Sequence, residues 1–417
     1  MHCQEARGPM GWTALPRYGR RSPPRPGRWL QIGVAKHHNA WSGPCRVRID
    51  PRAERAVRAR EPTVNATLHD VARLAGVSIK TVSNVVHDFP NVRLETRRRV
   101  QWAIDELGYR PNLYARGLRS GKTGVIELSV PELRQHYFAE LADEVIRAAE
   151  KRNLGVLVEQ TGGDREREID VVKRRRPHLT DGLLYAPERL GTDDKDLLET
   201  TFPFVLLGER IFGGPTDHVT MHNTSAAKAA VQHLLDLGRR RIAVIGAHPD
   251  GQVQVRAADL RIGGYAKALV EAGLPQDPEL VRVAAPWWHW NGADATRELL
   301  RTGVPFDALF CLNDGLALGA LRALGAAGVR VPDDVAVIGF DNIDEARFSV
   351  PSLTSVDAGR AEIARIAVDL LIERINEKGE RQPPRLVQPE FRIVKRESTG
   401  FYQTGDVPDG GLAAIDT

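Results

Sequence analysis

Two sets of side chains in this sequence have chemistry to offer. The first lies in "ATLHDVARLAGVSIKTVSNVVHDF", Ala66–Phe89, where Ile79, Lys80 and Asn84 face away from an apolar helical seam. They present a methyl-rich surface, a cation, and an amide that donates and accepts at once. The second set is Tyr137, Phe138, Arg261, Trp287, Trp288, Asp314 and Asp341, which fall among apolar runs and the helices between them. Carboxylates and a guanidinium beside an aromatic plate can bond hydroxyls while the ring covers an apolar sugar face; the same kit can stack a purine. Plainer alternatives stand beside each set. Lys80 and Asn84 could be a solvated helix face, Arg261 and Asp341 an ion pair between two lobes, and Asp314 a helix cap.

Reaction chemistry finds less support. The sequence has no Walker phosphate loop, no HExxH and no nucleophile elbow. "RIGGY" lies inside a helical pattern and lacks dinucleotide spacing, and His37–His38 sit in an irregular segment without partners. No catalytic residue, metal site or cofactor is expected.

Charge is distributed unevenly. The chain has 417 residues and a net charge of +4, yet residues 1–65 carry 13 Lys/Arg against 4 Asp/Glu, and residues 66–124 carry 10 against 5. The remainder is therefore acidic, which points to a polyanionic partner for the N-terminal module alone. No apolar run approaches the length of a membrane span, and no export segment is visible. Three cysteines, Cys3, Cys45 and Cys311, make no disulfide framework and fit a reducing cytoplasm.

The elements that position these groups follow from the patterning. Residues 1–65, with "RYGRRSPPRPGRW", lack an apolar period and read as a disordered basic extension. It is either an arm adding nonspecific DNA attraction or, the favoured reading, an over-long gene start. From Thr67, a capping residue, Leu68, Val71, Ala72 and Ala75 share a helical face that Gly76 ends. Ser78 caps a second helix with Val82, Val85 and Val86 inward. A third turns Val100, Ala103, Ile104 and Leu107 inward, and Gly108 stops it. Beyond Thr123, apolar runs such as "GVIELSV", "FVLLG", "IAVIGA", "ALFCL" and "VAVIGF" alternate with amphipathic helices. That texture implies parallel sheets covered on both faces, and there are too many strands for one sheet.

"TLHDVARLAGVSIKTVSNVV", "YRPNLYARGL", "RIAVIGAHPD", "LFCLNDGLALGALRALGAAGVRVPDDVAVIGFDN" and "PSLTSV", in that order, resemble the lactose/galactose repressor (LacI/GalR) family of bacterial transcriptional regulators over roughly Thr67–Thr399. The resemblance implies a small all-α helix–turn–helix domain and an α/β periplasmic-binding-protein-like core of two doubly wound lobes. It places Ile79, Lys80 and Asn84 at base edges in the major groove, against a thymine methyl, guanine and adenine. Thr81 and Ser83 would meet phosphate, and the capping residues Thr67 and Ser78 would also lie at the DNA. A hinge helix from Pro111 would order on DNA, with Asn112, Ala115, Arg116 and Arg119 at the duplex and Leu118 wedged into the minor groove; alternatively Leu118 packs on the core. Arg261 matches the arginine that grips the ligand.

The expected organisation is an extension at 1–65, helix–turn–helix at 66–110, hinge at 111–122, core at 123–403 and a flexible tail at 404–417. The first lobe takes about 123–222 plus 352–383, and the second about 223–351 plus 384–403. "GLALGALRALGAAGV" is either a dimer-interface helix or a buried core helix. The implied function is a cytoplasmic, nucleoid-associated repressor. It would bind a palindromic operator as a homodimer, or a dimer of dimers, under control of a small effector, a sugar or its derivative. A solute-binding receptor and a sugar-modifying enzyme are the competing readings.

Overall fold

The computed structural model describes residues 66–86, 89–109, 122–174, 178–249 and 257–401. The chain forms two compact units, one ending at Tyr109 and one starting at Arg110.

The first unit packs α1 (Leu68–Ala75), α2 (Ile79–Val86) and α3 (Leu94–Leu107) around Val71, Val82, Val100 and Ala103, all fully buried. None of these helices is long enough to be stable alone, so the shared core holds them. Thr67 and Asp70 close a capping box on α1: the Thr67 N–H donates to Asp70 Oδ2 at 3.0 Å, and the Asp70 N–H to Thr67 Oγ1. Such a cap contributes about 0.5–2 kcal/mol. Leu107, expected inward, is exposed. Gly108 at φ +57° turns the chain so that the Tyr109 N–H donates to the Ile104 carbonyl, and Tyr109 covers the core instead.

The second unit holds two six-stranded sheets. The first contains β1 (Val125–Val130), β2 (Gly155–Gln160), β3 (Leu183–Tyr185), β4 (Phe204–Leu207) and β5 (Asp217–Val219), with β11 (Leu386–Val387) at the edge beyond β5. All its pairings are parallel. The second contains β6 (Ile242–Ala247), β7 (Val281–Val283), β8 (Ala308–Cys311), β9 (Ala336–Phe340) and β10 (Thr354–Asp357), with β12 (Arg392–Val394) antiparallel at the edge. The helices are α4 (His136–Glu150), α5 (Arg165–Arg174), α6 (Asn223–Asp236), α7 (Ala257–Glu271), α8 (His289–Thr302), α9 (Asp314–Ala326), α10 (Glu345–Phe348) and α11 (Arg360–Asn376). Central strands are buried along their length, which is why they read as unbroken apolar runs.

The lobe crossings differ from the expected boundaries. The segment around β10 was assigned to the first lobe, but β10 pairs with β9 in the second sheet. The chain returns to the first lobe for α11 and β11, so that visit ends near Val387 and not at 383. These strands are two to four residues long and carry too little pattern to announce their sheet. The "GLALGALRALGAAGV" helix is α9, and most of it is buried. A Cβ on Gly319 would lie 1.9 Å from the His289 carbonyl oxygen, so α8 and α9 cross in backbone contact and only glycine fits there.

Two clusters anchor the ends of the core. Asp181 accepts from the Gly124 N–H at 2.8 Å and from Thr123, fixing the chain as it enters β1. Lys122 donates to Asn376 at the end of α11. Asp217 is fully buried, forked by Arg374 through two bonds of 2.8 Å, and met by Arg385 at 3.0 Å. Burial opposes ionisation, but the two guanidiniums win and hold this carboxyl at about 2.

Candidate functional site

A cavity of about 140 Å³ opens between the two sheets. Its walls come from segments that follow the strands' carboxyl ends, where doubly wound sheets place ligands. Tyr137 and Phe138 arrive on the first turn of α4, Glu209 after β4, Arg261 on α7, Trp287 and Trp288 before α8, Asn313 after β8 and Asp341 after β9. Four helices (α4, α7, α8 and α9) present their N-terminal ends here, adding positive potential suited to electron-rich oxygens.

Arg261 is the hub. It is buried; its Nε donates to Asn223 Oδ1 at 2.8 Å, its Nη1 to the Leu312 carbonyl, and its Nη2 stands 3.6 Å from Asp341. Its guanidinium lies over the Phe340 ring, 3.6 Å from the centroid. Asn223 in turn donates to Glu209 at 2.9 Å, so a polar relay runs from one lobe to the other. Asp341 sits at φ +109°, a conformation rare for a side-chain-bearing residue and strained by roughly 1–3 kcal/mol. Burial lifts its carboxyl to about 7, against the pull of Arg261 and Arg360. Burial, with Glu209 and Asp341 near, also holds the Tyr137 hydroxyl protonated far above its ordinary range.

The aromatic walls are fixed. The Trp287 indole N–H donates to the Gly246 carbonyl at 2.8 Å, and its ring stacks on His248. Trp288 stacks on Trp290 with centroids 5.3 Å apart. Both Trp287 and Trp288 face the cavity, so neither is spent wholly on the core.

Six of the seven expected effector residues line the cavity, and Asp314 does not. It is fully buried, accepts from the Ile343 N–H at 2.9 Å and from the Ser355 hydroxyl at 2.6 Å, and burial raises its carboxyl well above the ordinary value. Nor does it cap α9, because Asn313 fills that role by accepting from the Leu316 N–H. Asp314 is an internal strut tying α9 to β10. Residues missed in the sequence are Arg134, Gln135, His136, Glu209, His289 and Asn313. Their signal was position just beyond an apolar run. Burial, and then His136, lower the His289 ring below its ordinary value, which leaves it able to donate and accept.

In the first unit, α2 leaves Lys80 exposed, opposite buried Val82 and Val85. Ile79 is half-buried against the small core, so only part of its side chain reaches outward. Asn84, Thr81 and Ser83 are partly exposed. Three expected contact hydroxyls are engaged locally: Thr67 in the capping box, and Ser78 and Thr81, whose hydroxyls share a bond of 2.9 Å while Ser78 also accepts from the Thr81 N–H at 3.1 Å. Asn112, Ala115, Arg116, Leu118 and Arg119 lie outside the described residues, as do residues 1–65 and 404–417.

With that geometry in place, residues 67–112 match the bacterial regulatory proteins of the lacI family, and residues 231–399 match the periplasmic binding protein-like domain. The HTH-type transcriptional repressor PurR of Pasteurella multocida is 33% identical over 332 residues, covering 79% of this chain and 98% of that one. The chain belongs to the lacI family of bacterial regulatory proteins. This lacI-family chain is therefore a DNA-binding transcriptional regulator with an effector-binding core, of a family of regulators and not of enzymes. A LacI-family transcriptional regulator from Sanguibacter keddieii is 52% identical over 67% of this regulator and 99% of its own chain, with a TM-score of 0.62. The lac repressor dimer bound to operator and the anti-inducer ONPF is 25% identical, covering 81% of this regulator and 99% of its own chain, with a TM-score of 0.67. No helix among the described residues is long and apolar enough to cross a membrane.

Proposed function

We propose that this regulator is a repressor that binds a palindromic operator as a homodimer and releases it when a sugar or sugar derivative fills the interlobe cavity. Lys80 and Asn84 read base edges, with Ile79 adding an apolar contact. Thr81, Ser83, Arg116 and Arg119 meet phosphate, Ala115 allows close approach, Thr67, Ser78 and Asn112 also lie at the DNA, and Leu118 wedges the minor groove. The protein works in the cytoplasm, at the nucleoid. A two-fold dimer suits a palindrome because each head covers only a few base pairs.

The observation that carries the effector class is the cavity wall. Arg261, Asp341 and Glu209 offer charged partners for hydroxyls, Tyr137 and His289 offer groups that donate and accept, and the Trp287 face covers apolar C–H surface. Effector control is linkage: a sugar that favours the closed lobes weakens DNA binding only by its unequal affinity for the two states.

The experiment is selection of bound duplexes from a random pool, then titration of the selected site with and without a panel of pentoses, hexoses and disaccharides. A palindromic selected site, a steep salt slope and release by one sugar are expected. A site without two-fold symmetry removes the homodimer, and tighter DNA binding with sugar reverses the sign of control.

A further inference from the structure

The cavity has a lip where Trp288, one of the effector set, meets two residues outside that set, Arg134 and Trp290. Arg134 stands in the first lobe, between β1 and α4. Its guanidinium carbon lies 5.3 Å from the Trp288 ring centroid and 5.4 Å from that of Trp290, both in the second lobe. The two indoles are stacked within 15° of parallel and form one platform. Arg134 makes no ion pair among the described residues, so ring faces are the partners shown for its charge. Arg134 and Trp288 line the cavity, whereas Trp290 lies outside its walls and is 49% exposed.

The same seam carries other contacts between the lobes. The Asp344 N–H donates to Glu140 Oε1 at 3.0 Å, His136 Nε2 stands 3.7 Å from Glu345 Oε1, and the His136 and His289 rings meet edge-on at 5.2 Å. Those contacts sit on α4, α8, the β9–α10 connection and the first residue of α10. Arg134 lies where the cavity meets solvent and spans the gap with a long, flexible side chain.

We propose that Arg134 is a strap across the mouth of the cleft. It binds the Trp288–Trp290 platform when the lobes are together and must lift before a molecule enters or leaves. Guanidinium attraction to an indole face falls away once the ring is out of reach, so parting the lobes loses both faces at once. Arg134 therefore positions the lobes and sets residence time in the cavity without bonding the sugar. The idea rests on the cleft being the effector site, but its test needs neither DNA nor effector, so its failure is separable from failure of the repressor reading.

The full chain is labelled with 5-fluorotryptophan, and the Trp287, Trp288 and Trp290 resonances are assigned by Trp→Phe at each position. In Arg134→Ala the Trp288 and Trp290 lines should move, and the solvent isotope shift at Trp287 should grow as the mouth opens about two- to fivefold more often. Arg134→Lys, which keeps a cation, should retain part of both effects. Trp290→Leu, which removes half the platform outside the cavity, should reproduce the Trp287 change. Trp288 and Trp290 lines unmoved in Arg134→Ala, or an unchanged Trp287 isotope shift in both Arg134→Ala and Trp290→Leu, would overturn the strap.

Discussion

Arg261 and Asp341 meet at 3.6 Å within the second lobe, both buried and both facing the cavity. The pair thus joins two elements of one lobe, not the two lobes as expected, and is an ion pair and a piece of binding wall at once. Removing the guanidinium leaves the Asn223 Oδ1 and the Leu312 carbonyl without their donor and Asp341 without its counter-charge in the interior. Arg261→Ala should lower core stability by about 3–5 kcal/mol, the range for breaking a buried pair. Urea melts of wild type and variant measure this, and a loss under 1 kcal/mol contradicts it.

Asp341 carries a pH signature. Burial raises its folded-state carboxyl to about 7 from 3.8, so in that interval the folded protein holds a proton that the unfolded chain has released. Its contribution to stability therefore falls as pH rises from about 4 through about 7. Asp341→Asn, a neutral isostere, should flatten that part of the pH–stability curve. An identical slope in the two proteins would assign the effect elsewhere.

Asp217 behaves in the opposite sense. Held at about 2 by Arg374 and Arg385, it supplies stability that is present above 3.8 and lost as pH falls towards about 2. Asp217→Ala leaves two guanidiniums short of their acceptor at the end of α11, and should cost about 3–5 kcal/mol at neutral pH. Chemical denaturation at pH 7 reads the loss. Acid melts of the variant should begin from a lower plateau and show a shallower decline below pH 4.

DNA contacts separate by type. Lys80→Ala and Asn84→Ala should each relax preference at one base pair of a half-site, at a cost of roughly 1–3 kcal/mol there. Thr81→Ala should weaken binding to all sequences alike, because phosphate contacts position the protein without specifying sequence. Titrations against single-base operator variants distinguish the two patterns; unchanged base preference in both Lys80→Ala and Asn84→Ala would remove their reading role.

The α8–α9 crossing offers a matched pair of glycine substitutions. Gly319→Ala drives a methyl group into the His289 carbonyl and should destabilise by at least the 1–3 kcal/mol typical of overpacking. Gly325→Ala, on the same helix with nothing within 4 Å, should be neutral or stabilising by up to about 1 kcal/mol. Thermal melts that rank the two the other way round would refute the close crossing.

Sequence legibility followed the range of the interactions. Val71, Val82 and Val100 were readable because a helical period repeats within a dozen residues, and β6, β8 and β9 because burial on both faces leaves unbroken apolar runs. Asp314 was misread because a carboxylate opening a helix resembles a cap or a ligand. Its partners, Ile343 and Ser355, lie 29 and 41 residues away. Glu209 and Asn223 become a relay only when two lobes approach, and Arg134 finds its indoles only across that gap. Leu107 lost its inward place to Tyr109 through one left-handed glycine, a local geometry that a face count ignores.

The chain passes between lobes after β5, after β10 and again between β11 and β12, and both sheets are finished by strands beyond residue 385. A nascent chain leaving the ribosome thus cannot complete its first sheet and then start its second. Both wait, each short of an edge, until the same late stretch emerges, so the two halves of the sensor mature together. Neither half can be excised as a continuous fragment, and exchanging halves with a relative requires cutting both at every crossing.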